Sequence, residues 1–367
     1  MARPDSPTPA PVKRGDQLRV LFLAEGTQRS ASAVHRCDMV SEGLSRHGIS
    51  SEVRYGWALD LGEMSASTPS PRSMWDAFRA TKAFDVLIVN RSASLPVLVL
   101  VKFWIGSGKT VVYDFDDAVY LIKNLSYSRF SEVASTSSLV FAGSHELLRR
   151  VTITGRRSFL MPTPVDTDLF DANRFSELPG RSPCGKTTIG WLGIARTATE
   201  DLKLLVPVLK RLSSLYPNKV RFSLLSGLGS ERVMELFSGI HDLEIDFGPD
   251  TWTEFLEIPR HLSRFDISVM PLRDTLWNRG KCATKLLESM SMGIPVVASP
   301  VGENKYVVND GVNGHLAGSV DEWVGCLSKL IEDESLRKVL GKRGRERTVE
   351  SYSVESIARL YLAALRS

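Results

Sequence analysis

Lys281, Lys285 and Glu288 stand at i, i+4 and i+7 in the stretch RGKCATKLLESMSMGIPVVASPVGENK, which runs from Arg279 to Lys305. On a helix beginning near Gly280 the three share one face. A helix that starts after a strand, with lysines on its first turns, suits a diphosphate. Backbone amides and the helix dipole favour the anion, and the ammonium groups add charge. Glu288, two turns in, could accept both hydroxyls of a ribose. A solvated Lys–Lys–Glu stripe has the same spacing. After the next strand come Gly302, Glu303 and Asn304. Gly302 lets the backbone approach a ligand closely, and the amides after it could contact phosphate or sugar. A tight strand-to-helix connection accounts for them equally well.

A second concentration of chemistry lies in VVYDFDDAVY, with Asp114, Asp116 and Asp117 at the carboxyl end of an expected strand. Three carboxylates in four residues could serve a metal or a general base, or cap a helix and form a turn. Earlier in the chain, Glu25–Ser32 follows the first strand with Gly26 and several small hydroxyl residues, while Arg36 could point into a cleft or sit on the surface. Trp252 and Trp277 could stack on a base or a sugar, but packing suits each of them better. The run KRGRER near the C-terminus reads as a solvated helix face.

These residues need elements to hold them. Short β-branched runs, Arg19–Ala24, Ser51–Arg54, Val86–Asn90, Thr110–Tyr113, Leu139–Ala142 and Ser158–Met161, alternate with helical patterns such as Ala33–His47 and Leu95–Trp104. The segment Asp168–Pro183 breaks the alternation and reads as a linker. Strands restart at Thr187–Gly190, Val220–Leu225, Leu243–Phe247, Ile267–Met270 and Pro295–Ala298. Helices are expected at Glu200–Leu215, Ser230–Phe237, Trp252–Leu262, Thr284–Met292, Val320–Arg343 and Val354–Leu365, with a polar break at Glu350–Ser353 before the last. Alternation of this kind predicts parallel sheets covered on both faces, hence two doubly wound α/β domains. Ligands then sit beyond the carboxyl ends of the strands.

The 367 residues suit two domains of ~150–200 residues. Charge excludes more than it suggests: 46 basic against 42 acidic side chains, widely scattered, give no support to nucleic-acid binding. The excess leaves peripheral contact with an anionic membrane surface open. Cys37, Cys184, Cys282 and Cys326 lie far apart, with no metal-type pair and no disulfide framework. The strongest apolar run, Leu95–Ile105, is interrupted by Lys102 and too short to cross a bilayer. Residues 1–16, MARPDSPTPAPVKRGD, hold four prolines and no apolar core, so a disordered tail is expected rather than a secretory signal. A cytoplasmic protein is the expectation.

The stretch KLLESMSMGIPVVASPVGENKYVVNDGVNGHLA resembles the C-terminal core of family 4 retaining glycosyltransferases, the group 1 enzymes of the GT-B fold. Three further segments agree in order: PTPVDTDLF from Pro162, IGWLGIARTATEDLKLL from Ile189, and SRFDISVMPLRD from Ser263. The resemblance implies two Rossmann-like domains facing a central cleft, with a C-terminal helix crossing back to the first. It implies an acceptor-side domain at 17–170, completed by helix 353–367, and a donor-binding domain at 184–350.

By position, Glu288 matches the second glutamate of the family's paired motif, the one that holds the nucleotide ribose. The first would be Gly280 here, so Arg279, Lys281 or Glu303 would have to compensate. Where the family has an arginine and, five residues on, a lysine for the diphosphate, this chain has Trp191 and Arg196. Lys285 would restore the second charge. The resemblance therefore assigns Arg196, Lys281 and Lys285 to charge neutralisation. It puts Asp114 and Asp117 near the transferred sugar, where the family's usual histidine is absent. Donor contacts fall to Gly26, Gly190, Trp191, Glu288, Gly302, Glu303 and Asn304.

The implied reaction moves a sugar from a UDP- or GDP-type donor to an acceptor hydroxyl with retention, by front-face attack. The partners are a nucleotide sugar and a glycan, lipid-linked sugar or small-molecule acceptor, with no nucleic acid. No cofactor beyond the donor and no metal are required. The alternatives are a nucleotide-sugar epimerase on the same fold, and a non-catalytic nucleotide or sugar-binding protein with a degenerate donor site.

Overall fold

The computed structural model describes residues 18–57, 70–122, 127–153, 155–175, 185–226, 231–247 and 255–367. The expected tail, residues 176–183 of the expected linker, Cys184 and Trp252 lie outside these residues. The chain divides into two compact units. One comprises the residues up to Pro164 together with Val354–Ser367, and the other comprises Val165–Ser353.

The first unit is built on six parallel strands: β1 (Arg19–Leu23), β2 (Ser50–Arg54), β3 (Val86–Asn90), β4 (Thr110–Phe115), β5 (Leu139–Ala142) and β6 (Arg157–Leu160), in the order β2-β1-β3-β4-β5-β6. The central strand β3, VLIVN, is buried along its whole length, as a parallel strand covered on both faces must be. Between β1 and β2, α1 (Ala31–Ala33) runs through a π-helical turn, Val34–Asp38, into α2 (Met39–Arg46). The extra residue of that turn directs His35, Arg36 and Cys37 into the interior. Four helices follow, α3 (Pro71–Arg79), α4 (Leu95–Gly106), α5 (Tyr127–Thr136) and α6 (His145–Thr152). Their crossovers advance along the sheet in the direction opposite to that of α2, so right-handed connections put them on the other face. The face bearing α2 is completed by the C-terminal helix Val354–Arg366, whose Ile357, Tyr361 and Leu365 join Phe22, Val40 and Leu44 in one core.

The second unit repeats the plan with β7 (Thr187–Gly193), β8 (Val220–Ser226), β9 (Glu244–Phe247), β10 (Ile267–Met270), β11 (Val296–Ala298) and β12 (His315–Leu316), ordered β12-β11-β10-β7-β8-β9 and all parallel. Its helices are α7 (Ala195–Leu202), α8 (Leu205–Leu215), α9 (Glu231–Phe237), α10 (Ile258–Leu262), α11 (Leu276–Arg279), α12 (Thr284–Ser291), α13 (Asn304–Val307), α14 (Val320–Glu332) and α15 (Glu334–Tyr352).

Three expectations are corrected here, and one strand is added. The helix expected at Glu200–Leu215 is two, α7 and α8, separated at Lys203 and Leu204, where Leu204 and Val206 donate to carbonyls three residues back. The helix expected to span Val320–Arg343 breaks at Asp333. That residue is extended (φ −118°, ψ 97°), and its side chain accepts from the Leu336 amide at 2.9 Å to start α15. The polar break expected at Glu350–Ser353 narrows to Ser353, because α15 runs on to Tyr352. Strand β12 is only two residues long, too short to leave an alternating pattern in the sequence.

Candidate functional site

In the second unit the carboxyl ends of β7, β10 and β11 gather most of the candidate residues. β7 ends at Gly193, and the Lys285 ammonium from the first turn of α12 stands over the Trp191 ring, 5.7 Å from its centroid. A Cβ at Gly193 would lie 2.5 Å from that ring and 2.8 Å from Lys285 Nζ, so a bare Cα is what allows this stack at the strand end. Trp191 is buried, and Arg196 is exposed on the first turn of α7. Gly190 is required by packing: any Cβ there would enter the Phe265 ring at 2.1 Å.

Of the two starts expected for this helix, near Gly280 and at Thr284, the structure has the second. Ala283 precedes it in the left-handed conformation (φ 55°), which stops the chain from continuing smoothly from α11. Lys281 therefore lies in the connection between α11 and α12, not on one helix face with Lys285. Its Nζ is 3.8 Å from Asp201 Oδ2. Asp201 is buried at the end of α7. Its Oδ1 also accepts from the Arg273 amide at 3.0 Å and from Asn278 Nδ2 at 2.9 Å. This carboxylate organises residues 273–281, and no spacing in the sequence marks it, because it reads as one more polar position on a helix. Glu288 is buried one turn beyond Lys285.

The Ser299–Glu303 turn closes against the end of α11. At Gly302 (φ +54°) a Cβ would fall 2.6 Å from the Arg279 carbonyl oxygen, so both conformation and space demand glycine. Asn304, expected at the donor, is buried and its Nδ2 donates to the Ser299 carbonyl at 3.0 Å, so its side chain holds the turn itself. Ser299 Oγ accepts from the Leu272 amide at 2.9 Å, tying β11 to β10. Glu303 is buried beside them.

In the first unit the aspartates part company. Asp114 belongs to β4 and is completely buried: Oδ1 accepts from Arg36 Nε (2.9 Å) and Asn90 Nδ2 (3.3 Å), and Oδ2 from Arg36 Nη2 (2.6 Å) and the Tyr361 hydroxyl. This corrects the expectation that Asp114 contacts a sugar, since both of its oxygens are used inside the core. It also corrects both readings of Arg36, which is neither in a cleft nor on the surface. Burial opposes the Arg36 charge most, but Asp114, Tyr361 and Asp116 together outweigh it and hold the guanidinium pKa well above its ordinary value. Burial, reinforced by Asp114, raises the Tyr361 phenol well above its own.

Asp116 and Asp117 lie beyond the strand with Arg91, which follows β3 in the left-handed region (φ 61°). Arg91 Nε is 2.8 Å from Glu25 Oε2 and 3.7 Å from Asp116 Oδ1, and Nη2 is 3.4 Å from Asp117 Oδ2. Burial disfavours this cation, yet the three carboxylates raise its pKa. Arg91 carried no motif; only its unusual backbone and its neighbours reveal it. Gly26, beside Glu25, has φ +78° and its carbonyl accepts from the Gly56 amide at 2.7 Å. Among the described residues no group of three His, Cys, Asp or Glu side chains could hold a metal.

Residues 186–333 match the family described as "Glycosyl transferases group 1". The chain is 33% identical over 84 residues to the lipopolysaccharide core biosynthesis glycosyltransferase LpsE of Rhizobium meliloti, covering 22% of this chain and 25% of that one. It is 24% identical over 223 residues to the MMP alpha-(1->4)-mannosyltransferase of Mycolicibacterium hassiacum, covering 59% and 50%. The chain thus spans half or less of the length of these curated relatives. Among solved structures, Anabaena HepE in complex with UDP and glucose superposes with a TM-score of 0.66 at 16% identity, over 95% of this chain and 100% of that one. The architecture is therefore that of the GT-B fold, and with the family match it supports a place for this chain in the glycosyltransferase superfamily.

Proposed function

We propose that the chain is a family 4, retaining glycosyltransferase that moves a hexosyl group from a UDP- or GDP-type donor to an acceptor hydroxyl. The observation that carries the reading is the Lys285 ammonium over Trp191 at the glycine end of β7, with buried Glu288 one turn further along α12. That pairs a cation for a diphosphate with a carboxylate for a ribose at the strand ends where ligands of such sheets bind. The relatives lend support through their names: HepE was solved with UDP and glucose, and the curated relatives are a mannosyltransferase and a lipopolysaccharide core enzyme.

In this reading the second unit holds the donor and the first unit serves the acceptor. Lys285, Lys281 and Arg196 neutralise charge building on the departing diphosphate, and Asp201 positions the connection that carries Lys281. Trp191 and Gly193 shape the place where the diphosphate lies, and Gly302 with the amides after it supports the donor. Asp117 and the loop at Gly26 belong to the acceptor-side unit and are assigned to sugar or acceptor contact. With no protein nucleophile invoked, the leaving diphosphate helps deprotonate the acceptor hydroxyl on the same face. The protein contributes position and charge, each cation being worth roughly 3–4 kcal/mol at the transition state. Glycans, lipid-linked sugars and small molecules are the acceptor classes, and the reaction is placed in the cytoplasm.

The test is calorimetric titration with UDP, GDP, ADP and TDP, followed by turnover of matching sugar nucleotides. One nucleotide should bind and lose affinity in Lys285→Ala. The anomeric configuration of the product, read by proton NMR coupling, should match that of the donor. Failure of all four nucleotides to bind would overturn the donor site, and an inverted product would overturn retention.

A further inference from the structure

Helix α4, LPVLVLVKFWIG, is apolar nearly all round, a pattern expected of a helix enclosed by protein. It is not enclosed. Val97, Leu98, Leu100, Val101 and Trp104 are buried, yet Leu95 is 60% exposed, Val99 48% and Phe103 44%. These three recur every four residues and so form one outward stripe. Helix α3 lies alongside: the Phe78 and Phe103 rings meet edge to face at 4.9 Å, and Trp104 Nε1 donates to the Ala77 carbonyl at 3.1 Å. Both helices connect parallel strands on one face of the sheet and run the same way. Trp75, one turn before Phe78 and 62% exposed, therefore extends the stripe beside Val99, one turn before Phe103.

The polar surroundings of this patch are basic. Arg72 and Arg79 are exposed on α3, Lys82 follows it, and Asp76 is the one acid in that helix. Lys102, between Val99 and Phe103 on α4, has its ammonium on Glu132 at 2.6 Å. Large apolar side chains including a tryptophan, bordered by arginine and lysine, match the boundary of a bilayer that carries negative headgroups. The rings and aliphatic chains enter the acyl boundary, and the cations stay among the phosphates.

We propose that this α3–α4 face docks the protein on an anionic lipid surface. The contact is peripheral, since no helix among the described residues is long and apolar enough to cross a membrane. The inference is independent of the donor site, because none of these residues belongs to the second unit.

The test is cosedimentation of the full chain with phosphatidylcholine–phosphatidylglycerol vesicles and with pure phosphatidylcholine vesicles. Two double variants are compared, Trp75→Ser with Phe103→Ser and Arg72→Glu with Arg79→Glu. Wild type should partition onto the anionic vesicles and be released by salt. Each double variant should lower the partition coefficient by about tenfold or more. The charge variant alters only exposed residues and keeps the test alive should the apolar variant fold poorly; circular dichroism checks both. Wild type that stays in the supernatant, or variants that partition like wild type, would overturn the proposal. So would a concentration-dependent dimer that Trp75→Ser with Phe103→Ser dissolves, which would assign the face to a second copy of the chain. Nucleotide affinity, measured in parallel, should be the same in all variants and reports on the donor site separately.

Discussion

The Arg36 guanidinium and the Asp114 carboxylate meet through two parallel bonds, Nε to Oδ1 at 2.9 Å and Nη2 to Oδ2 at 2.6 Å, with both side chains fully enclosed. Breaking one half strands the other charge in the core. Asp114→Ala should cost about 3–5 kcal/mol in urea unfolding. The double variant Arg36→Met with Asp114→Leu should cost clearly less than the two single losses added together. Additive losses would show that the pair is not coupled as its geometry requires.

In the proposed function Lys285 serves the donor, its ammonium standing over the Trp191 ring 5.7 Å from the centroid. Lys285→Ala should weaken binding of the preferred nucleotide diphosphate by about 10–100-fold in calorimetric titration. Thermal stability should change little, by about 0.5 kcal/mol or less. A large loss of stability with unchanged affinity would give Lys285 a structural role instead.

Gly302 and Gly311 separate strain from contact. Both have positive φ, at 54° and 71°, but a Cβ at Gly302 meets the Arg279 backbone while one at Gly311 meets nothing within 4 Å. Gly311→Ala should cost about 1 kcal/mol for conformation alone. Gly302→Ala should cost roughly 1–3 kcal/mol more and also weaken nucleotide binding by displacing the turn. Equal thermal shifts in the two variants would contradict this packing.

Tyr361 carries a signed pH dependence. In the unfolded chain its phenol titrates near its ordinary value of about 10, whereas burial and Asp114 raise it well above that value in the folded protein. Its contribution is therefore fully present below about pH 10 and lost as pH rises toward the folded value. Tyr361→Phe should lower stability at neutral pH by roughly 1–3 kcal/mol, leaving one Asp114 oxygen short of a donor. Its stability should then decline less steeply than that of wild type above about pH 10. Parallel alkaline profiles would show that Tyr361 is not the titrating group.

The first eleven strands were legible because buried parallel strands must be continuous β-branched runs, and VLIVN or ISVM has few other uses. Lys285 and Glu288 were legible as a pair because they fall on one helix. Lys281 was misplaced because a residue such as Ala283 can adopt a left-handed conformation that no composition rule signals. Asp114 was misread for a related reason. Three neighbouring aspartates look equivalent in a sequence, but one lies within a strand buried on both faces and the others lie beyond its end. Asp201 and Arg91 were invisible, since their importance comes entirely from partners 70 or more residues away in the first case, and from convergence of three strand ends in the second.

The C-terminal helix has one further consequence, for the order of assembly. The second unit is continuous from Val165 to Ser353, so all of its strands are present before the last helix is made. The first unit lacks Ile357, Tyr361 and Leu365 until the second unit has been made, and Tyr361 bonds a carboxylate 247 residues earlier. During synthesis the N-terminal half must therefore wait, with Arg36 and Asp114 not yet closed over, while the later half can already fold. A released chain truncated after Ser353 should accordingly present a protease-resistant second unit and a digestible first one, inverting the usual vectorial order.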